Sequence, residues 1–194
     1  MKDTLANVTA EKDSTEEFFK HIHAHPELAF EESGTAKYIA EKLRAWGYEV
    51  VEGIGKTGVV ARMKVGDGSA SIGLRADTDA LPVEEAADLD YKSTVPGKSH
   101  MCGHDAHAAM LLGAAEYLAK NKNFNGTLNL VFQPAEEIMG GAVAMLKDGL
   151  LEQFPMDRIF GMHNMPSLPT GVLYLTEGPI MAAVDNWETV LTGK

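Results

Sequence analysis

Short apolar segments alternate with amphipathic ones along this chain, and that alternation limits the fold more than any other feature. Strand-like segments are predicted at 48–52, 59–65, 71–76, 127–132, 158–162 and 171–176. Segments of helical periodicity are predicted at 14–24, 34–46, 105–120 and 141–147. Residues 80–100 carry prolines and acids and are predicted to form a long loop. The pattern predicts an α/β fold, with a mixed, largely parallel sheet and helices on both faces.

Composition narrows the classes of protein to which the chain can belong. Its 194 residues fit one domain or slightly more, and 45% of them are hydrophobic, which is enough to build a core. A formal net charge of -11 argues against binding to nucleic acid or to an anionic membrane surface. No apolar run is long enough to span a membrane, and the N-terminus lacks a secretory signal. The single cysteine, Cys102, cannot form an internal disulfide, so we expect a cytoplasmic protein.

Chemically reactive side chains follow several of the predicted strands. Asp77 and Asp79 come after one strand, Glu136 and Glu137 after another, and His163 after a third. In open α/β sheets the active crevice lies outside the carboxyl ends of the strands. The sequence therefore predicts that these five residues share one site.

Cys102 and His104 are the strongest candidates for metal ligands. A lone cysteine is most often a small buried hydrophobic residue, and a lone histidine most often a hydrogen-bonded one. Two residues apart, beside Gly103 and before a predicted helix, they can face one ion. Sulfur, imidazole and carboxylate together suit zinc, nickel, cobalt or manganese. Three roles are open for His107: a metal ligand, a helix-capping group, or a residue that hydrogen-bonds a ligand or contacts the substrate. We favour the third.

The adjacent acids Glu136 and Glu137 can have different roles at a hydrolytic site, one as a metal ligand and the other as a base. Glu136 and Glu137 could simply be solvated residues in a first helical turn, but Pro134 directs them out of the sheet. We expect the two carboxylates to point in different directions, so that one binds metal and the other acts as a base. Asp77 and Asp79 could be turn residues; alternatively, an acid beside a ligating histidine orients its ring.

Six ordered motifs give the chain a family resemblance. They are HAHPELAFEE at 23–32, GLRADTDALPV at 73–83, MCGHDAH at 101–107, FQPAEE at 132–137, GGA at 140–142 and GMHN at 161–164. In order and spacing they resemble the hippurate hydrolase and N-acyl-amino-acid amidohydrolase family of dinuclear metallohydrolases. The resemblance covers residues 14–194 and implies a catalytic domain of the zinc-exopeptidase type.

The resemblance also implies roles for individual residues. Two divalent metal ions (zinc, manganese, cobalt or nickel) would be held by Cys102, His104, Glu137 and His163. Glu136 matches the general base, Asp77 matches an active-site acid, and Asp79 lies beside it as an orienting group. His23 matches the family's histidine before Pro-Glu-Leu. The implied activity is hydrolysis of a small N-acyl amino acid by a metal-activated water, in a full-length protein that is a homodimer or a higher oligomer.

The chain departs from the family pattern in three ways. Ile138 stands where glycine is common, and Met101 where alanine is usual. Family members are also about twice as long and carry a lid and dimerisation domain. We therefore expect residues 1–185 to be the N-terminal part of the catalytic domain and residues 186–194 to be the first strand of that lid. Two alternatives stay open: a metal-binding fragment without turnover, and a related dinuclear dipeptidase or aminopeptidase.

Overall fold

The computed structural model describes residues 8–185 and 187–193. The chain divides into two compact units, residues 1–164 and 165–194. All helices and strands of the described residues belong to the first unit. The helices are α1 Lys12–Ala24, α2 Ser33–Ala45, α3 His104–Asn121, α4 Gly141–Lys147 and α5 Leu150–Gln153. The strands are β1 Glu49–Ile54, β2 Gly58–Val65, β3 Ser71–Asp77, β4 Gly126–Gln133 and β5 Arg158–Gly161.

One mixed sheet forms the centre of the first unit, with the strand order β1-β2-β4-β3-β5. Strand β2 is antiparallel to both β1 and β4, whereas β3 is parallel to both β4 and β5. The predicted mixed α/β sheet is thus confirmed, with parallel pairing confined to β4, β3 and β5. These three strands place their carboxyl ends at one edge of the sheet.

Both faces of the sheet are covered, because the central strands alternate apolar residues between the two sides. One side of β2 and β4 packs against α1, α2 and α3. The buried residues on this side of the strands include Val59, Ala61, Leu130 and Phe132, and Leu112 of α3 belongs to the same apolar cluster. The opposite side presents Val60 and Val131, which pack with residues of α4 and α5; these include Met145 and Leu150. The predicted helices on both faces are therefore confirmed.

Helix α2 begins at Ser33, one residue before the helical segment predicted at 34–46. Ser33 makes no capping hydrogen bond in the described structure; instead the Glu27 carboxylate accepts the main-chain N–H groups of Gly34 at 3.0 Å and Thr35 at 2.7 Å. A carboxylate at this end also interacts favourably with the helix dipole. The cap is seven residues away in sequence, beyond the range of a local capping signal.

The described residues of the second unit form turns, bends and irregular backbone. Among its described residues, 165–185 and 187–193, no helix or strand is assigned. The strand predicted at 171–176 is therefore wrong: its apolar side chains, such as Leu173 and Tyr174, are largely exposed and have no paired strand beside them. Asn186 and Lys194, the ends of the predicted lid strand, lie outside the described residues, and the domain boundary at 186 stays a prediction. Within the described part of the chain, no helix has the length and apolarity required to cross a membrane.

Candidate metal centre

The residues predicted from sequence converge at the carboxyl edge of the parallel strands. Strand β3 ends at Asp77, β4 ends just before the Pro134 turn, and β5 ends just before His163. Helix α3 begins at the same edge with His104. Three overlapping groups there have ligand atoms close enough to hold an ion: Cys102, His104 and His163; Asp77, His104 and His107; and His104, Glu136 and Glu137.

His104 lies at the centre of the cluster and is fully buried. Its Nε2 atom is 3.8 Å from Glu136 Oε2, 3.8 Å from Glu137 Oε1 and 3.7 Å from Asp77 Oδ2. Among the described residues, neither His104 Nε2 nor Glu137 Oε1 has a hydrogen-bond partner. Leaving a buried polar atom unpaired costs about 1–3 kcal/mol. A cation between these two atoms would satisfy both, so the residues present fit a metal ion.

Asp79 fixes the orientation of His104 and of the turn that carries both glutamates. Its Oδ1 atom lies 3.2 Å from His104 Nδ1 and accepts the main-chain N–H of Glu136 at 2.9 Å, while Oδ2 accepts that of Glu137 at 3.0 Å. Burial would raise the pKa of Asp79, but these hydrogen bonds lower it below its usual range. Because Nδ1 of His104 is engaged by a carboxylate, Nε2 is the nitrogen left to bind a metal.

Asp77 is also held as a carboxylate. Its Oδ1 atom accepts a hydrogen bond from His107 Nδ1 at 2.6 Å, and its Oδ2 atom pairs with the Arg75 guanidinium at 2.8 Å. Burial would raise the pKa of Asp77, but the His107 hydrogen bond and the positive charges of Arg75 and His104 lower it to about 2. For His104, burial would lower the pKa, but the Asp79 hydrogen bond and nearby negative charges raise it.

Cys102 and His163 form the second part of the cluster. Cys102 Sγ lies 3.6 Å from His163 Nε2. With zinc–sulfur and zinc–nitrogen bonds of about 2.3 and 2.1 Å, a tetrahedral angle separates two ligands by about 3.6 Å. Burial and the negative charges of Glu137 and Glu136 raise the pKa of the Cys102 thiol to about 12. A metal ion reverses this effect, because it stabilises the thiolate directly.

The turn after β4 brings a carboxylate oxygen of Glu136 and one of Glu137 to 3.8 Å from His104 Nε2. The turn requires Ala135 at a φ of 48°, a left-handed conformation that is costly for alanine. Glu32, which is fully buried, accepts the Ala135 N–H at 2.8 Å and the Thr57 hydroxyl at 2.5 Å. Glu32 belongs to the HAHPELAFEE motif, but its sequence gives no sign of this role, because Glu32 and Ala135 are 103 positions apart.

His23 lies apart from the ligand cluster and clamps the long loop. Its ring is buried; Nδ1 lies 2.6 Å from Asp105 Oδ2, and Nε2 lies 3.0 Å from Glu85 Oε1. Burial would lower the pKa of His23, but these two carboxylates raise it. The loop predicted at 80–100 is thereby fastened to the start of α3, which carries His104. Sequence motifs identified His23 but not its partners.

Comparison with known proteins gives a consistent result. Residues 73–187, more than half of the chain, match Peptidase family M20/M25/M40. The chain is 53% identical over 173 residues to a hippurate hydrolase from Campylobacter jejuni. The match covers 89% of this chain and 45% of that protein. It is 43% identical over 177 residues to an N-acetylcysteine deacetylase from Bacillus subtilis, spanning 90% of this chain and 46% of that one. The chain spans about half the length of the curated relatives it matches.

A solved structure agrees with the fold. A dinuclear metal-binding peptidase of the M20 family from Bacillus subtilis superposes with a TM-score of 0.78 and is 40% identical. The match covers 83% of this chain and 45% of that protein. On the family match and the sheet-edge cluster together, this chain belongs to Peptidase family M20/M25/M40.

Proposed function

We propose that the chain forms part of a metal-dependent amidohydrolase that cleaves the amide bond of N-acyl amino acids. The observation that carries the proposal is the convergence of Glu136 and Glu137 on the unpaired Nε2 of buried His104. The names of two relatives, hippurate hydrolase and N-acetylcysteine deacetylase, support an N-acyl amino acid as substrate. Cys102, His104, Glu137 and His163 would hold two divalent ions.

Glu136 and Asp79 have different roles in this proposed reaction. Divalent ions at such a site supply a Lewis acid for the amide carbonyl and make water more acidic. Glu136, whose Oε2 atom lies 3.8 Å from His104 Nε2, takes the proton of the attacking water and returns it to the leaving nitrogen. Asp79 holds the His104 ring and the glutamate turn in the geometry that this transfer needs.

The test is hydrolysis of N-benzoylglycine and N-acetylcysteine by the protein, before and after removal of metal with a chelator. We expect turnover only with divalent metal, and its return when zinc, manganese, cobalt or nickel is restored. Full turnover in protein shown by elemental analysis to be free of metal would overturn the mechanism. Parallel assays with free dipeptides separate this activity from that of a dipeptidase, since faster dipeptide cleavage would favour the latter.

A second candidate is a metal-binding unit that does not turn over substrate by itself. The length difference from the relatives favours it, because the chain spans 45% of the hippurate hydrolase that it matches. Turnover per bound metal, measured for the 194-residue chain, distinguishes the two. Robust turnover removes the second candidate, whereas metal binding without turnover supports it.

A further inference from the structure

His107 has no nitrogen left to bind a metal, although it lies close to Asp77 and His104. Its Nδ1 atom donates to Asp77 Oδ1 at 2.6 Å. Its Nε2 atom lies 3.0 Å from the main-chain N of Asn164 and 2.6 Å from Asn164 Oδ1. As a neutral ring it accepts the Asn164 N–H, and as an imidazolium it donates to Asn164 Oδ1. In both states His107, which is buried, bridges the end of β3 and the segment after β5.

Asn164, held in place by His107, in turn orients the His163 ring. The Asn164 carbonyl oxygen accepts a hydrogen bond from His163 Nδ1 at 2.6 Å. This bond fixes the ring tautomer, so Nε2 is the nitrogen free for a metal, and Nε2 is the atom that lies 3.6 Å from Cys102 Sγ. The orientation of His163 towards Cys102 therefore depends on where Asn164 is held.

Gly103 allows Asn164 to lie against the loop between Cys102 and His104. Gly103 has a φ of 86°, and a Cβ atom there would lie 2.3 Å from Asn164 Nδ2. Any larger residue would displace Asn164. Asn164 is therefore hydrogen-bonded to the His107 ring and to the His163 ring, and Gly103 leaves the space that its side chain occupies.

We propose that His107 is a positioning residue which, anchored by Asp77, holds Asn164 and thereby aligns His163 with Cys102 as a pair of metal ligands. This inference rests on the proposed function, because it assumes that Cys102 and His163 bind a metal. It assigns His107 to the hydrogen-bonded support of a ligand rather than to the ligand set. Supporting groups of this kind typically change metal affinity by about 10–100-fold.

The experiment measures cobalt binding by the 194-residue chain, which needs no turnover. Equilibrium dialysis gives affinity and stoichiometry, and the near-ultraviolet thiolate-to-cobalt absorption reports the Cys102 bond. We expect His107→Phe, which keeps a ring but removes both hydrogen bonds, to weaken binding at the thiolate-bearing position by about 10-fold or more. His107→Gln, which can replace one of the two bonds, should fall between the wild type and His107→Phe.

Tyr48→Phe is the matched control, because it removes a buried hydrogen bond to the same helix, from Tyr48 Oη to the Ala115 carbonyl at 2.9 Å. It should lower stability yet leave cobalt affinity and the thiolate absorption unchanged. Wild-type affinity and absorption in a folded His107→Phe chain would overturn the proposal; if that variant does not fold, the same result for His107→Gln would do so. Failure of the wild-type chain to bind cobalt would instead overturn the proposed metal site itself.

Discussion

Replacing Asp77 with asparagine should lower the free energy of unfolding near neutral pH, and the loss should become smaller at acid pH. Asp77 is 1% exposed, and its carboxylate meets both the His107 ring and the Arg75 guanidinium. Asparagine has nearly the same shape and can still accept the His107 hydrogen bond, but it lacks the charge. The substitution therefore tests the electrostatic contribution of Asp77 with little change in packing.

The magnitude follows from the pKa of Asp77, which falls from 3.8 to about 2 in the folded chain. Since one pKa unit is worth about 1.4 kcal/mol, ionised Asp77 contributes about 2.5 kcal/mol to the free energy of unfolding. Its folded pKa is the lower one, so the unfolded chain binds more protons between the two values. The contribution is complete above about pH 5, falls by about 1 kcal/mol at pH 3 and is lost near pH 2.

Urea unfolding of metal-free protein in chelator, at pH 5.5 and pH 3, measures this effect. At pH 5.5 we expect the free energy of unfolding of Asp77→Asn to be about 2.5 kcal/mol lower than that of the wild type. At pH 3 the difference should shrink to about 1.5 kcal/mol. The exposed Asp88, changed to asparagine, is the control and should show neither effect. A difference that stays constant between the two pH values would refute the reasoning.

Three further predictions concern the site and its support. Glu136→Gln should abolish turnover and keep metal, whereas Glu137→Gln should lower metal content; equal metal loss by elemental analysis in both would contradict these roles. Alkylation of Cys102 should be slow in metal-loaded protein and fast after chelation, as measured by mass spectrometry, because the metal occupies the sulfur; equal rates would argue against ligation. Glu32→Gln should cost about 1–3 kcal/mol in thermal unfolding by unpairing a buried group, whereas exposed Glu31→Gln should cost little.

Local patterns predicted most of the fold. The periodicity of β3, β4, α3 and α4 located them to within about two residues, the usual precision of element boundaries. The segment 171–176 was mispredicted because a short apolar run forms a strand only when another strand pairs with it. The antiparallel position of β2 beside β4 was also beyond local patterns, since it depends on how distant segments pair.

For the site, the sequence located the polar residues that follow strands but not the groups that support them. Asp79 was expected to orient a histidine, and it does lie against His104. Glu32 and Asn164 were missed as supports, because their partners lie far along the chain or in the main chain. A buried carboxylate such as Glu32 has no distinguishing local pattern, so its role becomes visible only when Ala135 is placed beside it.

The central position of β4 has a consequence for how the chain folds. Strand β4 inserts between β2 and β3, and Gln133 pairs with Asp77, 56 positions earlier. Closing such a loop costs entropy before any pairing compensates for it, and non-local pairing of this kind slows folding. The two aspartates and the two glutamates therefore meet only after this late closure. Helices α1 and α3 can form from local contacts at an early stage, but the metal centre can form only in a nearly complete sheet.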